Sequence, residues 1–295
     1  MRNLKKIVIT GASGFLGSHL VERLKGDKRY EVYALSSRSG ELREKIGGNN
    51  IKYFHKDIVT SDLAREILKD AIIINCAYPR NSTGIAIADG LKYIQGVFES
   101  AVVNKAGAII NISSQSVYSQ HRTKPATEET PLCLESSYAV GKYLVELMLE
   151  SDCKGSVTRY TNLRMASLIG PGFDQRIVNR FVKQAYSGEV LHVVINDQRF
   201  GFLDIEDAVG AIISLIEREV ILWRTLYTVG TGEGYSVKEI AESVKRVFEK
   251  LGLVFPEIDI KQDEKKVGQL LIITKLIWTP DSNRYIHWRK AYTEF

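Results

Sequence analysis

The sequence predicts an α/β fold: a doubly wound parallel sheet with helices on both faces and a smaller, interleaved C-terminal α/β lobe. Three observations predict it. Short β-branched runs alternate with helix-period segments through the first half of the chain. A glycine turn, TGASGFLG from Thr10 to Gly17, joins the first run to the first helix. Further on the alternation loosens, yet no linker, repeat or low-complexity tract separates the two halves. Residues 1–165 are therefore expected to form a dinucleotide-binding domain, with segments near 205–230 returning to it. Residues 166–295 are expected to form mainly a substrate-binding lobe.

The elements follow in order. Lys5 to Thr10 (KKIVIT) reads as a buried strand because it is continuous and β-branched. A helix is expected from about Phe15 to Lys25, then strands at Glu31 to Leu35 and Ile51 to His55. A short helix should start near Ser61, with Thr60 or Ser61 as its N-cap. Ala71 to Cys76 is a fourth strand, Ile85 to Asn104 a longer helix and Ala108 to Ser113 a fifth strand. Tyr138 to Leu149 is helical, with apolar residues at Val140, Leu144 and Leu147, and Ser156 to Arg164 is a strand. Later helices are expected at Arg176 to Tyr186, Ile205 to Ile216 and Ser236 to Leu251.

Composition bounds the function. A chain of 295 residues with 44% hydrophobic and 25% charged residues is an ordinary globular protein. Its net charge of +5 is spread along the chain, without a basic run interleaved with aromatics. Nucleic acid is thus not the expected partner, whereas an anionic nucleotide diphosphate is compatible. Three cysteines without metal-ligand spacing fit free thiols in a reducing compartment, and the five histidines show no zinc pairing. The apolar run Ile7 to Ile9 is too short for a signal peptide, and no segment has the length of a membrane span. A cytoplasmic enzyme is expected.

Gly11, Gly14 and Gly17 let a backbone turn approach a pyrophosphate, and the helix opening at Phe15 and Leu16 offers N–H donors and a positive dipole end. A merely connecting turn is the competing reading, which the strand before and the helix after disfavour. Beyond the second strand stand Ser36, Ser37, Arg38 and Ser39, with no carboxylate before Glu41. Hydroxyls and a guanidinium suit a 2′-phosphate, so NADP is preferred over NAD. Asp57, beside Ile58, can accept from an adenine amino group or simply cap a turn.

Tyr138 and Lys142 form Y-x-x-x-K and share a helix face. An ammonium beside a phenol favours the phenolate, so Tyr138 can exchange a proton with a carbonyl or hydroxyl. Ser114, just past the fifth strand, can donate to the same substrate oxygen. Arg80, after the fourth strand, is as compatible with solvent as with a phosphate or hydroxyl contact, and His121, in the loop after Ser114, reads as a solvated loop histidine rather than a substrate contact.

TGASGFLG, Asp57, NCA (Asn75 to Ala77), SSQSVY and YAVGK, in this order, resemble the extended short-chain dehydrogenases/reductases, in particular the nucleotide-sugar epimerase, dehydratase and ketoreductase group. The resemblance continues in LRMASLIGPG, QRFGFLDIEDAV, YTVGTGEGYSVKEIA and LIWTP. It implies a Rossmann-like fold and a catalytic set of Ser114, Tyr138 and Lys142, with Lys142 also holding the nicotinamide ribose. Asn75 and Ala77 would line the cofactor, and Arg199 lies near the family's nucleotide-binding arginine. Gln115 and Ser116 stand where the dehydratases carry Asp and Glu, so dehydration is not expected. Ser167 replaces a substrate-contacting asparagine and Tyr93 an asparagine of the longer helix, so Arg80, Gln115, Ser116, Ser167 and Arg199 would shape a non-standard sugar pocket. The expected activity is a 4-ketosugar reductase. The alternatives are a 4-epimerase with bound NAD and a non-catalytic NAD(P) sensor. A homodimer is expected through the helices Ile85 to Asn104 and Tyr138 to Leu149.

Overall fold

A computed structural model describes residues 4–79, 84–119, 122, 124–173, 176–195 and 199–262. The chain divides into two compact units: Met1–Val117, Leu134–Arg164 and Ile205–Tyr227 form the first, and Tyr118–Cys133, Met165–Asp204 and Thr228–Phe295 the second. The stretch Tyr118–Cys133 joins the second unit, where Tyr118 bridges Leu132 and its hydroxyl meets the Thr228 hydroxyl.

In the first unit, strands β1 (Lys5–Thr10), β2 (Tyr30–Ser36), β3 (Ile51–His55), β4 (Ile72–Asn75), β5 (Ala108–Ser114) and β6 (Arg159–Met165) alternate with helices α1 (Phe15–Leu24), α2 (Ser39–Ile46), α3 (Ala64–Leu68), α4 (Gly84–Val103) and α5 (Ser137–Cys153). Strands β7 (Ser167–Ile169), β8 (Leu191–Ile195), β9 (Arg199–Phe200) and β10 (Phe202–Asp204) follow, with α6 (Ile177–Tyr186) after β7. Then come α7 (Ile205–Glu217), β11 (Leu226–Val229), β12 (Tyr235–Ser236), α8 (Val237–Lys250) and β13 (Ile258–Gln262).

The main sheet has seven strands in the order β11-β6-β5-β4-β1-β2-β3. Pairing is parallel across β1, β2, β3, β4 and β5. From β1 the chain moves one way through α1 to β2; from β4 it moves the other way through α4 to β5. Right-handed crossovers then put α1 and α4 on opposite faces. This is a doubly wound sheet whose order reverses between β1 and β4, and side chains alternate to both faces. Val8, Ile73 and Ile109 pack with Ile94, Val97 and Phe98 of α4 and Val145 and Leu149 of α5. Helices α1 and α7 pack on each other and bury Leu20, Leu24, Ile212 and Ile216.

The second unit pairs β13 with β8 in parallel and packs α6 and α8 around Phe181, Leu191, Val193, Phe202 and Phe248. Helix α8 starts with a capping box from Ser236 and Glu239.

Two local expectations are corrected. The helix placed near Ser61 begins only at Ala64, with Leu63 as N-cap. A 3-10 turn fills Lys56–Thr60, and the Ser61 hydroxyl donates to Ile58 O while accepting from Leu63 N–H. The strand placed from Ser156 starts at Arg159, because Ser156 closes a turn onto Cys153.

Candidate active site

The C-terminal edge of the sheet at the β1–β4 switch point is where folds of this kind bind ligands. The glycine turn lies there. Gly11 has φ of +63°, and a Cβ on it would come within 2.7 Å of Ala77 N, so only glycine fits between the turn and the loop after β4. Ala12 N–H donates to Leu35 O, and Gly14 N–H to Gly11 O. Gly14 is the N-cap of α1 and brings no side chain over the helix end. Phe15 is half-buried there, whereas Leu16 and Gly17 turn inward and are buried. A tight, side-chain-free turn leading into an uncapped helix N-terminus fits a dinucleotide pyrophosphate.

At the end of β2, Ser36 is buried and its hydroxyl meets the Ser13 hydroxyl at 2.6 Å while accepting from Arg38 N–H. Ser36 therefore braces the glycine turn. Arg38 is exposed at the N-cap of α2, with Glu41 3.7 Å from its guanidinium. Asp57 is exposed between His55 at 3.1 Å and Lys56 at 3.3 Å, and Ile58 packs into the core behind it.

The sequence missed a buried polar ladder beneath this edge. Thr10 Oγ1 donates to Asn75 Oδ1, Asn75 Nδ2 to Asn111 Oδ1, and Asn111 Nδ2 to Asn162 Oδ1, at 2.7, 3.0 and 2.8 Å. It crosses β1, β4, β5 and β6 at one level, since Thr10 pairs with Asn75 and Asn75 with Asn111 in register. The Asn75 side chain is buried within the ladder.

Ser114 ends β5, half-buried, and its Oγ accepts from Ser116 N–H. Gln115 is buried; the Ser116 hydroxyl is buried with no hydrogen-bond partner among the described residues. Tyr138 sits in the first turn of α5, whose N-cap Ser136 accepts from Ala139 N–H. Lys142, one turn on, is buried and donates to Ile112 O at 2.8 Å. Its ammonium lies 5.9 Å from the Tyr138 ring centre and 4.2 Å from that of Tyr78. Tyr78 meets Tyr138 edge to face, with ring centres 5.3 Å apart. Burial, with Tyr138 adding to it, raises the Tyr78 phenol above its ordinary value.

A further turn along α5, Glu146 and Arg164 of β6 form a buried bidentate ion pair, with contacts of 2.6 to 3.2 Å. The Ser113 hydroxyl donates to the same carboxylate. These bonds fix the helix carrying Tyr138 and Lys142 to the strand ending in Ser114.

A family model described as the NAD dependent epimerase/dehydratase family matches residues 7–230, most of the chain. This chain belongs to that family. Among curated proteins, UDP-glucuronic acid decarboxylase 1 of Xenopus tropicalis is 26% identical over 261 residues, 83% of this chain. The match spans 61% of that protein's length. Among solved structures, the UDP-glucuronic acid 4-epimerase of Bacillus cereus, in complex with UDP-glucuronic acid and NAD, superposes with a TM-score of 0.76 at 20% identity, covering 92% of this chain and 90% of that one. The UDP-N-acetylglucosamine 4-epimerase of Methanobrevibacter ruminantium, in complex with UDP-N-acetylmuramic acid, gives 0.74 at 21% identity, covering 93% and 90%. The family and the doubly wound fold expected from the motifs are thus the ones found.

The remaining expected site residues are placed as follows. Ser167 lies in β7 and Arg199 in β9, both in the second unit. Arg199 Nε and Nη2 donate to Gly234 O at 3.0 and 2.6 Å, and Nη2 reaches Glu239 at 3.3 Å. Arg199 therefore ties the loop before α8 to the start of that helix. Arg80, His121 and LIWTP at 276–280 lie outside the described residues. Among the described residues no helix is long and apolar enough to cross a membrane.

Proposed function

We propose that this family member is a nicotinamide-dependent enzyme acting on a nucleotide-activated sugar, most simply as a 4-ketosugar reductase using NADP. One observation carries the reading. Tyr138 and the buried Lys142 stand on one face of α5, which is fixed to the strand ending in Ser114, in the same unit as a glycine turn open to a pyrophosphate. Lys142 holds positive charge near the Tyr138 ring. Tyr138 then exchanges the proton of the sugar oxygen, and Ser114 donates to that oxygen and orients it. When bound, the nicotinamide supplies the hydride. Gly11, Gly14 and the N-terminus of α1 would hold its pyrophosphate, and Lys142 its ribose. Gln115 and Ser116 provide no acid or base for removing water, and the unpartnered Ser116 hydroxyl suits a sugar hydroxyl. The cytoplasm is the proposed compartment.

Exposed Arg38, flanked by Ser37 and Ser39, supports NADP. A second reading, a 4-epimerase with bound NAD, draws support from the epimerase of the same fold solved with NAD, and from Ser36 being spent on Ser13 and Arg38 facing Glu41. Denaturing the purified protein and analysing the released nucleotide separates the two. An empty protein that binds NADPH more tightly than NADH supports the reductase; stoichiometric NAD in the supernatant overturns it in favour of epimerisation. Failure to bind either dinucleotide overturns both.

A further inference from the structure

The loop after β4 is wedged against three glycines of the first unit. Ala77 abuts Gly11 of the glycine turn, Tyr78 abuts Gly141 of α5, and Pro79 abuts Gly90 of α4. A Cβ on Gly90 would come within 2.5 Å of the Pro79 ring, and one on Gly141 would overlap the Tyr78 hydroxyl. Glycine inside a helix is costly relative to alanine. Gly141 therefore calls for a reason, and the phenol occupying the place of its side chain supplies one. Seated there, Tyr78 turns its ring face to the Lys142 ammonium at 4.2 Å and meets the Tyr138 ring edge to face.

We propose that Tyr78 is a positioning residue for the reacting pair: its ring, admitted by Gly141, holds the Lys142 ammonium beside Tyr138. An ammonium over an aromatic face is held by the ring quadrupole, strongly so when desolvated. Lys142 is also anchored at the Ile112 carbonyl, which fixes its height above the sheet. Tyr78 supplies a lateral wall that keeps the ammonium from swinging away from the Tyr138 phenol. The hydroxyl of Tyr78, by contrast, locks the ring against α5. This proposal rests on the reading of Tyr138 and Lys142 as the reacting pair, and its test has an arm independent of that reading.

The first arm is a thermal-melt cycle. Gly141→Ala in the wild-type background should lower Tm, because the new methyl displaces the phenol. In the Tyr78→Ala background the same substitution should raise Tm, because a better helix former then enters open space. The change of sign is the signature; equal effects in both backgrounds overturn the packing. The second arm follows dinucleotide affinity in the Tyr78 variants by fluorescence titration. Tyr78→Ala should weaken NADPH or NADH binding by roughly tenfold, while Tyr78→Phe, which keeps the ring, should restore it. Binding unchanged in Tyr78→Ala overturns the positioning role. Wild-type turnover in Tyr138→Phe would instead overturn the reacting pair while leaving the melt cycle intact.

Discussion

Tyr138 and its neighbours set the chemistry at the scale of single residues. Tyr138→Phe removes the one exchangeable proton on the phenol and leaves the ring packed against Tyr78. Turnover of a nucleotide sugar should fall by about two to four orders of magnitude with dinucleotide affinity retained, measured by steady-state kinetics and by fluorescence titration. An unchanged rate would remove Tyr138 from the reaction. The places of Ser114, Tyr138 and Lys142 in the fold, at the end of β5 and on one face of α5, were legible because each sits in a motif beside a recognisable strand or helix. Tyr78 was not, although NCA directly precedes it. A lone tyrosine after a strand carries no pattern, and its partners Gly141 and Lys142 are distant in sequence. The only signal was a glycine inside YAVGK, read as one of three unspecified positions. The ladder was not legible either, because Asn75 shares it with Thr10, Asn111 and Asn162, which lie on separate strands.

Among the elements, α5 shows why a helix can be located from sequence and still be misread in orientation. Val140, Leu144 and Leu147 gave its apolar periodicity, yet all three are exposed. The buried face carries Ala139, Lys142, Val145, Glu146, Leu149 and Cys153, because Glu146 is neutralised by Arg164 and Lys142 is held by a carbonyl. A charged residue that pairs across the fold looks solvated in the sequence. Two outcomes follow. Glu146→Gln removes the carboxylate charge paired with the buried Arg164 and should cost about 3–5 kcal/mol in urea unfolding. Replacing both Glu146 and Arg164 by methionine should cost far less, and equal losses would show that the pair is not the source. The exposed stripe suits the proposed homodimer, an intermolecular four-helix bundle of α4 and α5. Leu144→Glu should then convert a dimer to a monomer in light scattering at micromolar concentration, with the fold unchanged by circular dichroism. A wild-type monomer would refute that assembly.

For the molecule as a whole, the sheet was legible because strands buried on both faces read as continuous apolar runs, and the glycine turn fixed where the winding begins. The split into units was less legible: Tyr118–Cys133 belongs to the second unit through contacts at Leu132 and Thr228 that no local pattern announces. The first unit's core also sets how stability responds to alkali. Cys153 is buried at the end of α5, and burial, with Asp152 adding to it, raises its thiol from 9.0 to about 12. Buried Tyr30 and Tyr33 are raised by the same cause. The sign is fixed by linkage: the folded thiol keeps its proton where the unfolded thiol loses it, so its contribution is complete below pH 9.0 and disappears as pH climbs from 9.0 toward about 12. Cys153→Ala removes this ionisation and leaves a small cavity whose cost does not depend on pH. Under reducing conditions, urea unfolding should therefore show wild type losing stability faster than Cys153→Ala as pH rises above 9.0, with the two running parallel below it. Parallel curves throughout would mean that the thiol is solvated in the folded chain and that other buried groups, the Cys76 thiol and the tyrosines among them, set the alkaline limit.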